Sequence, residues 1–237
     1  MRKCLFLLSL CLLPFVAFSS TFTSENPIKL PTTTTTTSSA NNNLVRVEDW
    51  HGATLDIHGS YRIVSDEWGA LGGDVYLGPL PNSAAPCPDG VLKYNFSGQA
   101  RGTPVRFIKT DNNRPIFIFE NQDVNIQFVT RTCVNYTVWK VGHNDASLGV
   151  RFLETGGTIG QEDSSWFRIF RPPQGPRRRY FLMHCPGPFA CPSCPIDRCR
   201  AVWVVLQNGR RRLALVNDPS APSQQLRFRL RVYFNSR

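Results

Sequence analysis

The sequence predicts an all-β fold of about twelve short strands, closed as a barrel or sandwich. Three observations predict it. Short runs with alternating apolar residues recur along the chain. Gly, Pro, Asn and Asp punctuate them roughly every dozen residues. No segment of ten or more residues carries a helical period.

The elements follow in chain order. Met1-Arg2-Lys3 and the apolar run from Cys4 to about Phe18 read as an export signal over 1–20, too short for the roughly 20 residues of a bilayer span. No later run is apolar enough to span, so the mature protein is expected to have no membrane segment. Residues 21–43 are rich in Thr, Ser and Asn, have little to bury, and read as disordered. Within them Asn26-Pro27-Ile28-Lys29-Leu30 resembles the Asn-Pro-Ile-Arg-Leu sorting signal of plant vacuolar propeptides, which implies a vacuolar or extracellular destination.

Residues 44–237 are long enough for one core. Strand runs are read at Tyr61–Val64, Val75–Leu77, Pro115–Phe119, Val124–Phe128, Tyr136–Val141, Trp166–Phe170, Tyr180–Met183, Ala201–Leu206 and Arg212–Val216. Asn208-Gly209 lies between two of them and predicts a tight hairpin, because both residues tolerate positive φ. Leu226–Tyr233 alternates Leu226, Phe228, Leu230 and Val232 with Arg227, Arg229 and Arg231, which predicts one closing strand with a basic outer face.

The formal charge of +10 is uneven. From Arg168 onward all basic residues are arginines, the only acids are Asp197 and Asp218, and Arg177–Arg179 and Arg210–Arg212 are runs. Between Leu44 and Phe167 acids outnumber bases. Such a face is either ordinary solvated surface or a site for an anionic glycan; nucleic acid is not expected.

Catalysis is not indicated. His51, His58, His143 and His184 show no HExxH spacing, and there is no Gly-x-Ser-x-Gly elbow. After Cys4 and Cys11 leave with the signal, six cysteines remain: Cys87, Cys133, Cys185, Cys191, Cys194 and Cys199. In an exported chain an even set reads as disulfides, and spacing alone leaves the connectivity open. Cys191-x-x-Cys194 also has zinc-ligand spacing, but export and the surrounding prolines favour disulfides. No metal or cofactor is expected. Asn95-Phe-Ser97 and Asn135-Tyr-Thr137 are N-glycosylation sequons.

Val47-Glu-Asp49-Trp-His-Gly52-Ala-Thr-Leu55, followed by Tyr61-Arg-Ile63, resembles the N-terminal signature of the plant Kunitz (soybean trypsin inhibitor) family. The resemblance continues through Gly72-Gly73, Cys87-Pro88, Gly102-Thr-Pro104-Val105-x-Phe107, Asp123-Val-Asn-Ile126-x-Phe128, Cys133, Trp139-x-Val141, Trp166-Phe-Arg-Ile169, Cys185-Pro186 and Arg212-Leu-Ala-Leu215. The four-cysteine cluster resembles the miraculin-like branch. The resemblance implies a β-trefoil of three similar units. It implies pairs Cys87–Cys133, Cys185–Cys199 and Cys191–Cys194. It also implies inhibition of serine proteases, trypsin-like where a Lys or Arg fills the primary pocket, through an exposed substrate-like loop. The implied loop is Arg106-Phe107-Ile108-Lys109-Thr110-Asp111, with Lys109 as specificity residue and Arg106 and Arg114 as rivals. One departure weakens the match: Ala53 stands where inhibitory members carry a polar residue that braces the loop. The alternative is a non-inhibitory miraculin-like trefoil that binds anionic glycans or serves as a vacuolar storage protein.

Overall fold

In the computed structural model thirteen strands are hydrogen-bonded into one set. The structure describes residues 44–80, 87, 89–109, 115–130, 136–186, 199–220 and 227–236. The chain divides into Met1–Asn41 and Asn42–Arg237, and only the second contains described residues. The strands are β1 (Arg62–Ser65), β2 (Val75–Gly78), β3 (Gly90–Lys93), β4 (Val105–Lys109), β5 (Val124–Phe128), β6 (Lys140–Asp145), β7 (Val150–Glu154), β8 (Phe167–Phe170), β9 (Tyr180–His184), β10 (Arg200–Gln207), β11 (Arg210–Val216), β12 (Arg227–Arg229) and β13 (Arg231–Asn235). Helix among the described residues amounts to one turn, Glu162–Ser165, and a 3-10 turn at Gly69–Leu71.

Two layers emerge from the pairings. β4–β5–β8–β9–β13–β1 runs antiparallel throughout, and the bridge Tyr61↔Val105 joins the start of β1 back to β4. This single bridge closes a six-stranded barrel. The hairpins β2–β3, β6–β7 and β10–β11 form the second layer. They are linked in a triangle by β3–β7, β7–β11 and β11–β3. A closed barrel with three linked hairpins is the threefold plan of a β-trefoil.

Period-2 patterning drives this. β1 alternates half-buried and buried residues, and Ile63 and Ser65 point inward. The core fills the barrel and the base of the hairpins with Trp139, Phe107, Phe128, Phe167 and Phe234, all almost completely buried. Phe107 meets Phe234 edge-on at 5.4 Å, and Trp139 meets Phe167 edge-on at 6.1 Å, the favoured geometry for ring quadrupoles. A smaller cluster of Val150, Phe152, Val205, Ala214 and Val216 lies among the hairpins. The Asn208-Gly209 hairpin forms as the dipeptide predicts: Gln207 pairs with Arg210, and φ is 48° at Asn208 and 75° at Gly209.

Three sequence expectations need correction. Leu226–Tyr233 is not one strand, because its described part breaks at Leu230. β12 pairs with β10 in the hairpin layer, whereas β13 pairs with β1 and β9 in the barrel, so the chain changes layer there. Alternation continues across the break, which hides it in the sequence. Pro115–Phe119 is not a strand either. It is held by single bridges, Asp56↔Phe117 and Arg46↔Phe119. Finally, β3, β4 and β7 were absent from the strand runs, since each is only four or five residues long and β3 begins with Gly90.

Candidate functional site

The N-terminal signature builds a compact turn. Asp49 is almost fully buried, and its Oδ1 accepts the Ala53 N–H at 2.8 Å while Oδ2 accepts the Ser236 hydroxyl at 2.8 Å. The Asp49 N–H donates to the Ala53 carbonyl at 2.8 Å, and the Gly52 N–H to the Asp49 carbonyl at 3.1 Å. Gly52 sits at φ +91°, and a Cβ there would lie 2.5 Å from Arg178 Nη2. The positive φ explains the glycine, since the Arg178 guanidinium at the end of its flexible side chain could shift away. Ala53 itself is exposed, with its backbone engaged by Asp49.

The two arms of this turn grip the segment 115–119. Val47 N–H donates to Ile118 O at 2.9 Å, Ile118 N–H to Leu55 O at 2.9 Å, Ile57 N–H to Ile116 O at 3.0 Å, and Glu120 N–H to Val45 O at 2.8 Å. The Arg46 guanidinium lies 4.3 Å from the Phe117 ring centroid. On the other side of residues 110–114 stands β4, paired with β5 from Val105↔Phe128 to Lys109↔Val124. Lys109 Nζ donates to the Pro115 carbonyl at 2.9 Å and lies 6.0 Å from the Phe119 ring. The described residues on either side of 110–114 are therefore held, Lys109 at the end of a barrel strand and 115–119 by a stitched N-terminal clasp.

This placement corrects the described part of the expected loop 106–111, residues 106–109. Arg106 to Lys109 are strand. Phe107 is fully buried against Phe234 and cannot enter a protease cleft. Arg106 lies on the outer face, where its Nε donates to Gln127 Oε1 at 2.8 Å across the β4–β5 pair. Ile108 pairs with Asn125. Lys109 stands at the strand end. Thr110, Asp111 and Arg114 lie outside the described residues. Alternation of Val105 and Phe107 with Arg106 was the available signal for the strand, since it points two apolar residues inward.

Cys185 and Cys199 are disulfide-bonded and join the end of β9 to the start of β10. Cys87 is also disulfide-bonded; Cys133, Cys191 and Cys194 lie outside the described residues. So do Asn135 and Asn26 to Leu30, while Asn95 is exposed. The described residues contain no helix long and apolar enough to cross a membrane, and no metal-binding cluster.

Half of the described arginines from Arg168 onward are ion-paired. Each of the six ion pairs between described residues joins an arginine from Arg168 onward to an acid before it. Arg168 meets Asp123 through two bonds, of 2.6 and 2.9 Å. Arg171 meets Glu120 at 2.9 Å, Arg178 meets Glu48 at 3.1 Å and Arg212 meets Glu154 at 3.4 Å. Arg179 pairs with Asp66, and Arg231 with Glu67. Arg178, Arg179 and Arg212, from the two runs, are thus engaged inside the molecule. Sequence reasoning noted the two charge blocks but not that they neutralise each other, since pairing across 45 to 164 positions leaves no local signal.

Comparisons with known proteins agree with this architecture. Serine protease inhibitor 7 of Solanum tuberosum is 54% identical over 222 residues, covering 91% of this chain and 95% of the relative. Aspartic protease inhibitor 1 of Solanum tuberosum is 51% identical over 225 residues, covering 92% and 96%. A solved Kunitz-type cysteine protease inhibitor from potato superposes with a TM-score of 0.63 at 34% identity, covering 81% of this chain and 97% of that one. Soybean trypsin inhibitor in complex with porcine pancreatic trypsin gives 0.59 at 25%, covering 81% and 98%. The family described as trypsin and protease inhibitor, of the legume Kunitz type, matches residues 47–228, and the chain belongs to that family.

Proposed function

We propose that this chain is a protein inhibitor of endopeptidases, not an enzyme, and that it acts on trypsin-like serine proteases through the segment between Lys109 and Pro115. The anchoring of its two described flanks, Lys109 and residues 115–119, supports the reading. A substrate-like segment fixed at both ends loses little conformational entropy on entering a cleft. If its peptide bond is cut, barrel and clasp hold the ends together, so religation competes with release. The names of the relatives support inhibition of proteases in general, and one solved neighbour is bound to trypsin.

Lys109 is the specificity side chain of this proposal, with Arg114 as its rival. Its ammonium would exchange the Pro115 carbonyl for the buried acid of a trypsin-like pocket. The biological setting follows as part of the same proposal: export through removal of 1–20, sorting through Asn26–Leu30 to a vacuole or release outside the cell, glycans on Asn95 and Asn135, and a role in defence or in restraining endogenous proteolysis.

Titration of trypsin with the purified mature chain is the test. A stoichiometric end point is expected, with Lys109→Ala weakening inhibition about 100-fold or more, as for a buried hot-spot residue. If Arg114→Ala produces that loss and Lys109→Ala does not, the specificity residue moves to Arg114. A parallel titration of an aspartic protease separates the two classes named among the relatives. Absence of any effect on trypsin, chymotrypsin and subtilisin would refute the serine-protease reading.

A further inference from the structure

We propose that a cavity at the junction of β7, β9, β10 and β11 binds a small multivalent oxyanion, a phosphate or polycarboxylate, between the guanidinium groups of Arg151 and Arg200. The cavity has a volume of about 660 Å³ and is lined by both arginines together with His184, Asn144, Asn217 and Asp163, among others.

The strand register brings these residues together. Arg151 pairs with Asn144 on one side and with Leu215 on the other, and Leu215 pairs with Val202. Neighbours in register share a face of the sheet, as do residues two apart on one strand. Arg200, two before Val202, therefore lies on the face that carries Arg151, and its partner across the ladder is His184. The Cys185–Cys199 bridge flanks this corner: each cysteine is adjacent in sequence to His184 or Arg200.

Arg151 and Arg200 line one cavity, and both lack partners among the described residues. The six ion pairs engage other arginines, and among the described residues neither of these guanidinium groups has an ion pair or a side-chain hydrogen bond. Both are exposed at the cavity and free to offer planar, bidentate donors to an oxyanion. Asn144 and Asn217 add amide groups; Asn217 Nδ2 already donates to Asn144 Oδ1 at 3.0 Å, which leaves its second N–H. His184 is buried, and its Nδ1 lies 2.8 Å from the Trp166 carbonyl. Burial holds its pKa below the usual histidine value; bonds to the Trp166 and Asp163 carbonyls oppose this, and the Arg151 and Arg200 charges add to it. One carboxylate, Asp163, also lines the cavity, so two guanidinium charges face one acid.

The proposal is independent of protease inhibition, since none of these residues belongs to β4 or to 115–119. It is tested by thermal unfolding of the full mature chain with inorganic phosphate and, separately, with citrate, against NaCl of equal ionic strength. A saturable rise of about 3 °C is expected at roughly ten times the dissociation constant. The double variant Arg151→Gln/Arg200→Gln should lose that rise. Its melting temperature without anion should stay within about 2 °C of wild type, because both side chains are exposed. Asp163→Asn should tighten binding several-fold by removing the opposing charge. A rise no larger than that in NaCl, or an equal rise in the double variant, overturns the assignment.

Discussion

Lys93 is almost fully buried, and its Nζ donates to the carbonyls of Leu71, Gly72 and Tyr94. Burial first, then repulsion from Arg211, lowers its pKa from 10.5 to about 7, while Asp74 and Glu67 act in the opposite direction. The folded state then binds fewer protons than the unfolded state between pH 7 and 10.5, so this group makes stability rise with pH through that window. The slope contributed is at most about 1.4 kcal/mol per pH unit. Urea unfolding from pH 7 to 10 should show the rise in wild type and lose it in Lys93→Met. Above pH 10 the trend reverses, because burial raises the pKa of Tyr61, Tyr76, Tyr180 and Tyr233. Arg179 gives a second prediction at this scale. It pairs with Asp66 and lies 4.3 Å from the Trp50 ring and 5.0 Å from the Tyr233 ring. Arg179→Ala leaves a half-buried Asp66 unpaired and should cost about 2–4 kcal/mol in urea unfolding. Arg179→Lys should recover little of it, because an ammonium cannot stack and pair at once.

Among the elements, two glycines separate strain from clash. Gly209 in the β10–β11 turn has φ +75° and nothing within 4 Å of an added Cβ. Gly209→Ala should cost about 1 kcal/mol, from backbone strain alone. Gly73, just before β2, has φ +107°, and a Cβ there would lie 2.6 Å from the Tyr94 carbonyl oxygen and 3.0 Å from that of Phe96. Both contacts are with backbone, so Gly73→Ala adds displacement of the β3 end to the strain and should cost at least about 3 kcal/mol. Calorimetric melting of the two variants should rank them in that order. The Cys185–Cys199 bridge staples β9 to β10 across a separation of 14 residues. The double variant Cys185→Ser/Cys199→Ser should lose about 3 kcal/mol by the chain-entropy account, measured by urea unfolding.

For the molecule as a whole, the ion pairs tie the C-terminal arginines to acids of the preceding two-thirds. A sequence with a basic block thus folds into a surface on which much of that block is already neutralised. An anionic glycan is accordingly expected to bind weakly at Arg177–Arg179: Arg177→Ala/Arg178→Ala should change elution from a heparin column little at about 0.15 M salt. The strand content, the Asn208-Gly209 hairpin, the inward alternation of β1 and β5 and the family itself were all legible in the sequence, because period-2 patterning, turn chemistry and ordered motifs are local. The break at Leu230, the clasp around 115–119 and the end of β4 at Lys109 were not. Each depends on which distant segment supplies hydrogen-bond partners: Val47 and Leu55 for Ile118, β10 for β12, β1 and β9 for β13. By itself the sequence determined an all-β chain of the Kunitz family. Only the tertiary structure decided, among the described residues, which charges cancel, which arginines remain without partners, and how Lys109 and residues 115–119 are held. Those outcomes arise from contacts between residues tens to more than a hundred positions apart, where closeness in space leaves no imprint on neighbouring residues.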